Sequence, residues 1–511
     1  MRKSIIWVIT FLSVCLMLSF SVSAEDAVYN DSIISSDGFT TPANICDGTT
    51  DTYSDSFAIP GVTVTREGNI SSLYIVFDKV PGEWTLTCVG KNESNDEVYK
   101  TINCGLNGFL HEFIAIEDEV EFDVCELKLA FKSYVSIAEV YAFSSGALPA
   151  WVQEWKPPLN KADLLIFASH SGDENLFFAG VIPYYASERC LTVQVVYLVD
   201  HSETHDRVHE QLNTLWASGI RNYPVMGKFP DVASVSLDRN SSKFDTLSQL
   251  SSSGFTFQDI VQFVTLNIRR FRPLVVLSHD TYGEHGDGMH ILCAEAVIEA
   301  SKKSGDYNEY TEDIINNFTW TPEKIYLHLY EEGKITLNLD ENYGGIGMKT
   351  PFEVSSDAYR FQKTQIDTIL GKWLLGTETA PIKKATDIVY YSPCEYGLFF
   401  TSVGEDTVGG DLFENVIPYA QRDTHLDDES PIFPELDTEV VTEAPETESE
   451  DFETSDEKPD KAPVNRKAVT VIIVITSVIV CVLIVIFTVA SSKTSVRSRR
   501  KRKQDRKNKV N

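Results

Sequence analysis

From Trp151 onward, short apolar runs alternate with longer segments of helical period, and few folds admit that order. The runs cover residues 164–168, 193–198 and 274–277, rich in Leu, Val and Ile. Between them lie stretches such as 204–217, where Val208, Leu212, Leu215 and Trp216 fall on one helical face. Strands without a polar side must be covered on both faces, so the order predicts a parallel α/β sheet, Rossmann-like, with helices on either side. Ligands of such sheets bind beyond the carboxyl ends of the strands. The polar residues just after each apolar run are therefore the candidate site.

The chain before Trp151 reads differently. Residues 72–77, 84–89 and 127–131 alternate or are β-branched, and Gly, Asn, Asp and Pro separate them. That pattern predicts an all-β sandwich over 25–147. The α/β domain is expected over 151–380, and residues 381–425 as a β-rich extension without assignable chemistry.

Both ends carry targeting signals. Arg2 and Lys3, an apolar run from Ile5 to Phe20, and Val22-Ser23-Ala24 have the order of a signal peptide over 1–24. Residues 468–490 form a stretch of 23 without a charge, which predicts a transmembrane helix. Arg497, Arg499, Arg500 and further basic residues follow it, which predicts a cytoplasmic tail over 491–511 with the N-terminal domains extracellular. The formal net charge is −31 despite that basic tail. Much of the acidity falls in 426–467, which reads as a disordered stalk. The charge argues against nucleic-acid partners. Together these signals predict a single-pass cell-membrane protein and suit a Gram-positive envelope. Of nine cysteines, Cys46, Cys88, Cys104 and Cys125 leave room for one or two disulfides of open pairing, and Cys190, Cys293 and Cys394 show no metal-type spacing.

Two loops concentrate metal-binding residue types. After the first apolar run comes Ser169-His170-Ser171-Gly172-Asp173-Glu174. After residues 274–277 comes Ser278-His279-Asp280, then Gly283-Glu284-His285-Gly286-Asp287-Gly288-Met289-His290. Of ten histidines in the chain, these loops hold four, at one end of the expected sheet. Imidazole and carboxylate are ordinary zinc ligands, and a catalytic zinc takes three protein ligands and a water. The glycines allow tight turns that aim the side chains inward.

These residues resemble the motifs of the PIG-L/LmbE family of zinc-dependent sugar de-N-acetylases. Its first motif, Ala-His-Pro-Asp-Asp-Glu, aligns with 169–174, and its Gly-rich turn ending in His-x-x-His aligns with 283–290. Its Arg-x-x-Glu helix aligns with Arg207 and Glu210. The resemblance spans about 163–375. It implies zinc held by His170, Asp173 and His290, Arg207 in contact with substrate, and removal of an N-acetyl group from an N-acetylglucosamine-type sugar of a surface glycan. Two departures matter. The general-base position is Gly172, and Asp287 stands where the family has a histidine. Gln362 also replaces a histidine common in relatives. Loss of a general base costs about 10²- to 10⁴-fold in rate. Glu174, Asp280, Asp287 and His285 are the candidate substitutes, and the sequence does not choose among them.

Residues 39–53, with Asp47-Gly48 and Tyr53, are similar to the opening of discoidin-like carbohydrate-binding domains, which implies a glycan-binding module. Two expectations follow. One is a membrane-anchored extracellular zinc hydrolase. The alternative is a catalytically impaired relative that binds glycans as a surface or adhesive protein.

Overall fold

The structure is a computed structural model that describes residues 26–422, apart from 93, 233 and 315–317. Eight strands build the first domain: β1 (Ile33–Phe39), β2 (Ser54–Thr65), β3 (Ser72–Phe77), β4 (Trp84–Lys91), β5 (Glu97–Cys104), β6 (His111–Ala115), β7 (Asp123–Phe131) and β8 (Ser136–Phe143). All pair antiparallel, in the order β5-β4-β7-β2-β8-β3-β6, with β1 beside β2. The expected two-sheet sandwich is instead one curled sheet. Its two halves share β2, whose start (Ser54, Asp55) pairs with β8 and whose end (Gly61 to Thr65) pairs with β7. Pro60 lies between those segments and Gly61 opens the second, where a missing N–H and a missing side chain let a strand bend.

Alternate residues of each strand turn inward, so Val62 and Val64, Leu73 and Ile75, Leu127 and Leu129 close one core. Trp84 packs 5.5 Å from Phe131 and 6.3 Å from Phe77, ring centre to ring centre. Truncating such an aromatic residue to alanine costs about 3–5 kcal/mol.

The second domain contains β9 (Leu164–Ala168), α1 (Asp173–Leu176), β10 (Val193–Tyr197), α2 (His205–Ser218), α3 (Arg239–Ser252), α4 (Phe257–Phe271), β11 (Val275–Ser278), α5 (Gly288–Lys303), β12 (Lys324–His328), β13 (Lys334–Thr336), α6 (Pro351–Tyr359), α7 (Ile369–Leu375), the two-residue strands β14 (Gly376–Thr377) and β15 (Ala380–Pro381), and β16 (Glu395–Thr401). The six-stranded sheet runs β10-β9-β11-β12-β16-β13. Its first four strands are parallel and every residue of them is buried. Leu165, Phe167 and Val276 face α4 and α5, while Ile166 and Leu277 face the side that carries α2. The expectation of a parallel sheet is corrected at β16, which pairs antiparallel with both β12 and β13; β16 and β13 are partly exposed. An antiparallel edge strand tolerates a solvated face, which a parallel central strand does not.

The two domains meet closely. Phe109 stacks on Tyr223 at 4.6 Å, and the Tyr223 hydroxyl accepts from the Leu110 N–H at 3.2 Å. Lys363 pairs with Asp51 at 2.8 Å.

The expected membrane helix requires a correction. No helix among the described residues is long and apolar enough to cross a membrane. Residues 468–490, on which that expectation rested, lie outside the described residues, as do 1–24, 426–467 and 491–511. The dependent expectations are withdrawn with it: a fold with a transmembrane helix, a membrane partner, a membrane-anchored hydrolase, and a single-pass extracellular placement on a Gram-positive cell. The seven cysteines of the described residues are free thiols.

Candidate metal centre

Two turns beyond adjacent parallel strands build the site. β9 ends at Ala168, and the chain turns through Gly172, at φ +99°, into α1. β11 ends at Ser278, and its loop turns through Gly283 and Gly286, at φ +72° and +74°. Asp287 then caps α5, its Oδ1 accepting from the N–H groups of Met289 and His290 at 2.8 and 3.2 Å. That cap fixes His290 in the first helical turn.

The turns bring His170, Asp173 and His290 together. His170 Nδ1 lies 3.3 Å from His290 Nε2 and 3.4 Å from Asp173 Oδ2. His290 Nε2 lies 3.3 Å from the same carboxylate oxygen. A tetrahedral ion with bonds of about 2.0–2.1 Å needs donor separations of about 3.3–3.4 Å. The three donors thus match one face of such a tetrahedron. They lie within two overlapping donor sets, His170–Asp287–His290 and Asp173–His279–His290. His279 is already engaged: its Nε2 accepts from the Ser169 N–H at 3.0 Å, and its Nδ1–H donates to Glu284 at 2.9 Å. Asp287 is engaged through its cap. Asp173 Oδ2 also accepts from the His170 N–H at 2.6 Å, which holds the carboxylate under the ring.

Charge supports the arrangement. Burial opposes ionisation of Asp173, but His290 and His170 hold it well below the usual carboxylate range. Burial likewise opposes a charge on His290, but Asp173 and Asp287 hold it well above the usual imidazole value. A divalent ion would take the place of those imidazole protons.

Glu284 organises the histidines from beneath. Its wholly buried carboxylate faces the Nδ1 atoms of His279, His290 and His328 at 2.9, 2.9 and 2.6 Å. The approach of His290 Nδ1 is close but bent away from a proper hydrogen bond. Burial opposes the charge on Glu284, and the histidines hold it well below the usual range. A carboxylate behind a histidine orients the ring and raises its basicity toward a metal.

The other candidate residues lie elsewhere. At Gly172, a Cβ would stand 3.2 Å from Tyr359 Cε2 and 3.3 Å from Gln362 Cδ. Gln362 is wholly buried and donates from Nε2 to Ser171 Oγ and Thr214 Oγ1, both at 3.1 Å. Arg207 donates to Gln362 Oε1 and to the Ser171 carbonyl, each at 2.9 Å. Its guanidinium braces the first loop. Glu174 turns into the core, where its carboxylate accepts from the Gly172 N–H and from Asn175, and burial pushes it up to about 7. Asp280 accepts from the Tyr282 N–H, and burial, then Glu284, push it up to about 6. His285 packs its ring 4.4 Å from Tyr391 and 5.8 Å from Trp373, and burial, then His290, lower its pKa. None of these three is among the clustered donors.

A cleft of about 820 Å³ opens beside the loop of β11, lined in part by Asp280, Tyr282, Tyr330, Tyr390 and Tyr391.

No protein-family model and no curated protein matches this chain. Among solved structures, N,N'-diacetylchitobiose deacetylase from Pyrococcus horikoshii is similar at 17% identity and TM-score 0.33, over 47% of this chain and 84% of its own. A conserved protein from Thermus thermophilus is similar at 15% identity and TM-score 0.29, over 40% of this chain and 80% of its own. A Clostridium perfringens structure in complex with glcNAc-alpha-1,4-galactose is similar at 18% identity and TM-score 0.18, over 25% of this chain and 99% of its own. The chain is thus distantly similar to a deacetylase and to a glycan-bound domain, and at these values neither carries a function to it.

Glu284, His279 and His328 have no role in the sequence reading. The first two stand in the loop already singled out. For Glu284 the signal is the pair Gly283 and Gly286, which flank it and set the turn that buries it. His328 ends β12 at the same edge of the sheet.

Proposed function

We propose that this protein binds glycans through an α/β domain that holds a divalent metal, zinc by its donor set, and that its hydrolytic machinery is impaired. His170, Asp173 and His290 would hold the metal. Their mutual separations of 3.3–3.4 Å are the observation that carries the metal part of the reading. When bound, the ion would supply Lewis acidity toward a sugar oxygen.

Impairment rests on what surrounds those donors. A base must reach the proton it takes within hydrogen-bond distance. Gly172 offers no group, and Gln362 and Tyr359 fill the space in front of it. Asp287 spends one oxygen on the cap of α5. Glu174 faces the core and Asp280 serves a turn. Gly172, Glu174 and Asp280 thus supply no base, and the remaining carboxylate oxygen of Asp287 lies among the metal donors, so binding without turnover is the favoured reading.

The glycan part is supported by the tyrosine-lined cleft that opens beside the loop of β11, whose size suits a small ligand. Phenol rings present apolar faces to a sugar ring and hydroxyls to its oxygens. The test uses the purified full chain with zinc and an N-acetylated chito-oligosaccharide, followed by calorimetry and by acetate release. Zinc-dependent binding without catalytic acetate release is expected. Multiple-turnover acetate release, or no response to sugar with or without zinc, would overturn the reading.

A further inference from the structure

A second cluster of metal-binding groups lies where the two domains meet, away from the centre described above. Asp78 follows β3 of the first domain. His205 and His209 stand four residues apart at the start of α2, on one helical face. Two histidines at that spacing point the same way and commonly hold a transition metal. Their donor atoms and the Asp78 carboxylate lie within 4.8 Å of one another.

Each ligand has its outer contact already in place. His205 Nε2–H donates to the Thr50 carbonyl at 2.8 Å, which turns Nδ1 toward Asp78 Oδ1 at 2.6 Å. Asp78 Oδ2 accepts from Ser136 Oγ at 3.1 Å. His209 Nδ1 meets His111 Nε2 at 2.8 Å, and His111 Nδ1 meets the Tyr74 hydroxyl at 2.8 Å. Contacts of this kind orient metal-binding rings and set their tautomers.

The deciding observation is His209 Nε2. The residue is only 4% exposed, and this nitrogen has no hydrogen-bond partner. A buried polar atom without a partner costs about 1–3 kcal/mol. Burial, together with His111 and His205, holds His209 well below the usual imidazole value, so its ring stays neutral. With the shared proton on His209 Nδ1, the Nε2 lone pair is free. A cleft of about 380 Å³, lined by His205, His209, Thr50 and Asp51 among others, adjoins the cluster.

We infer that Asp78, His205 and His209 form a second divalent transition-metal site, which ties the curled β-domain to the α/β domain. The ion replaces the proton between His205 Nδ1 and Asp78, and that proton leaves to solvent. Asp78 Oδ1 and His205 Nδ1 then part by less than about 1 Å, to the separation a tetrahedral ion needs. The donors, two imidazoles and a carboxylate, suit zinc or cobalt better than calcium or magnesium.

The test counts Co²⁺ or Zn²⁺ retained by the full chain after stripping and reloading, in the native protein and in His170→Ala, His209→Gln and Asp78→Asn. Two ions are expected in the native chain, and one in each variant. The near-isosteric Asp78→Asn guards against misfolding of His209→Gln, and near-ultraviolet circular dichroism checks both. Weakening at this site should reach at least the 10- to 100-fold that loss of an outer contact costs. Native stoichiometry and affinity in both His209→Gln and Asp78→Asn would overturn the inference. One ion lost only in His170→Ala would also overturn it, and would leave the first centre standing. One ion lost only in His209→Gln and Asp78→Asn would support it and remove the first centre. No bound ion at all would overturn both.

Discussion

Gln362 packs against the face of Gly172 from which a side chain would project, with its Cδ 3.3 Å from the place a Cβ would take. The glycine also sits at φ +99°, where other residues are strained. Gly172→Asp should therefore not restore a general base. It should destabilise the protein, with the left-handed backbone alone costing about 1–2 kcal/mol. Thermal unfolding and acetate release measure both effects. A lower unfolding temperature with no acetate is expected.

Glu284 is the buried anion behind three histidines. Removing one partner of a buried charge network costs about 3–5 kcal/mol. Glu284→Gln should show a loss of that order in chemical denaturation. It should also weaken zinc binding by about 10- to 100-fold. An unchanged zinc affinity would remove Glu284 from the support of the centre.

Much of the α/β core is legible in the sequence because a strand buried on both faces has no polar alternative to show. Residues 164–168 are such a run, and they become β9. The antiparallel strand β16 is not legible as part of that sheet. Half-exposed residues such as Leu398 and Phe399 read equally well as a separate β-rich ending. In the site, His170 and Asp173 stand out because they lie just past the end of β9, and His290 because it closes the Gly-rich loop that follows β11. The role of Glu284 is hidden, since which acid of a crowded loop turns inward depends on the backbone at Gly283 and Gly286. The closure in front of Gly172 is hidden too: Gln362 is 190 residues away in sequence. The shared strand β2 escapes a pattern reading because alternation continues past its bend at Pro60.

Glu139, outside both sets of metal donors, gives a pH signature of its own. Its carboxylate accepts from the Gly48 N–H at 2.7 Å and is pushed up to about 7 by burial. The folded state therefore holds this proton more tightly than the unfolded state, whose value is 4.5. The contribution is most favourable at and below the unfolded value and is lost as pH rises from about 4.5 through about 7. Glu139→Gln should flatten that fall, raising stability at pH 8 relative to the native chain and changing it little at pH 4. Urea unfolding at the two values checks it.

Tyr390 is 79% exposed on the rim of the tyrosine-lined cleft. Its replacement by alanine should leave stability within about 0.5 kcal/mol, as exposed positions usually do. It should still weaken chito-oligosaccharide binding several-fold, with zinc content unchanged. Equal sugar affinity in the variant would move the glycan site away from this cleft.

The most direct measurement is sugar binding by the full chain with and without zinc, beside His170→Ala, with acetate followed in the same samples. The predicted result is binding that needs zinc, is lost in His170→Ala, and proceeds without catalytic release of acetate. Sustained acetate turnover, or sugar binding indifferent to both zinc and His170, would contradict the account.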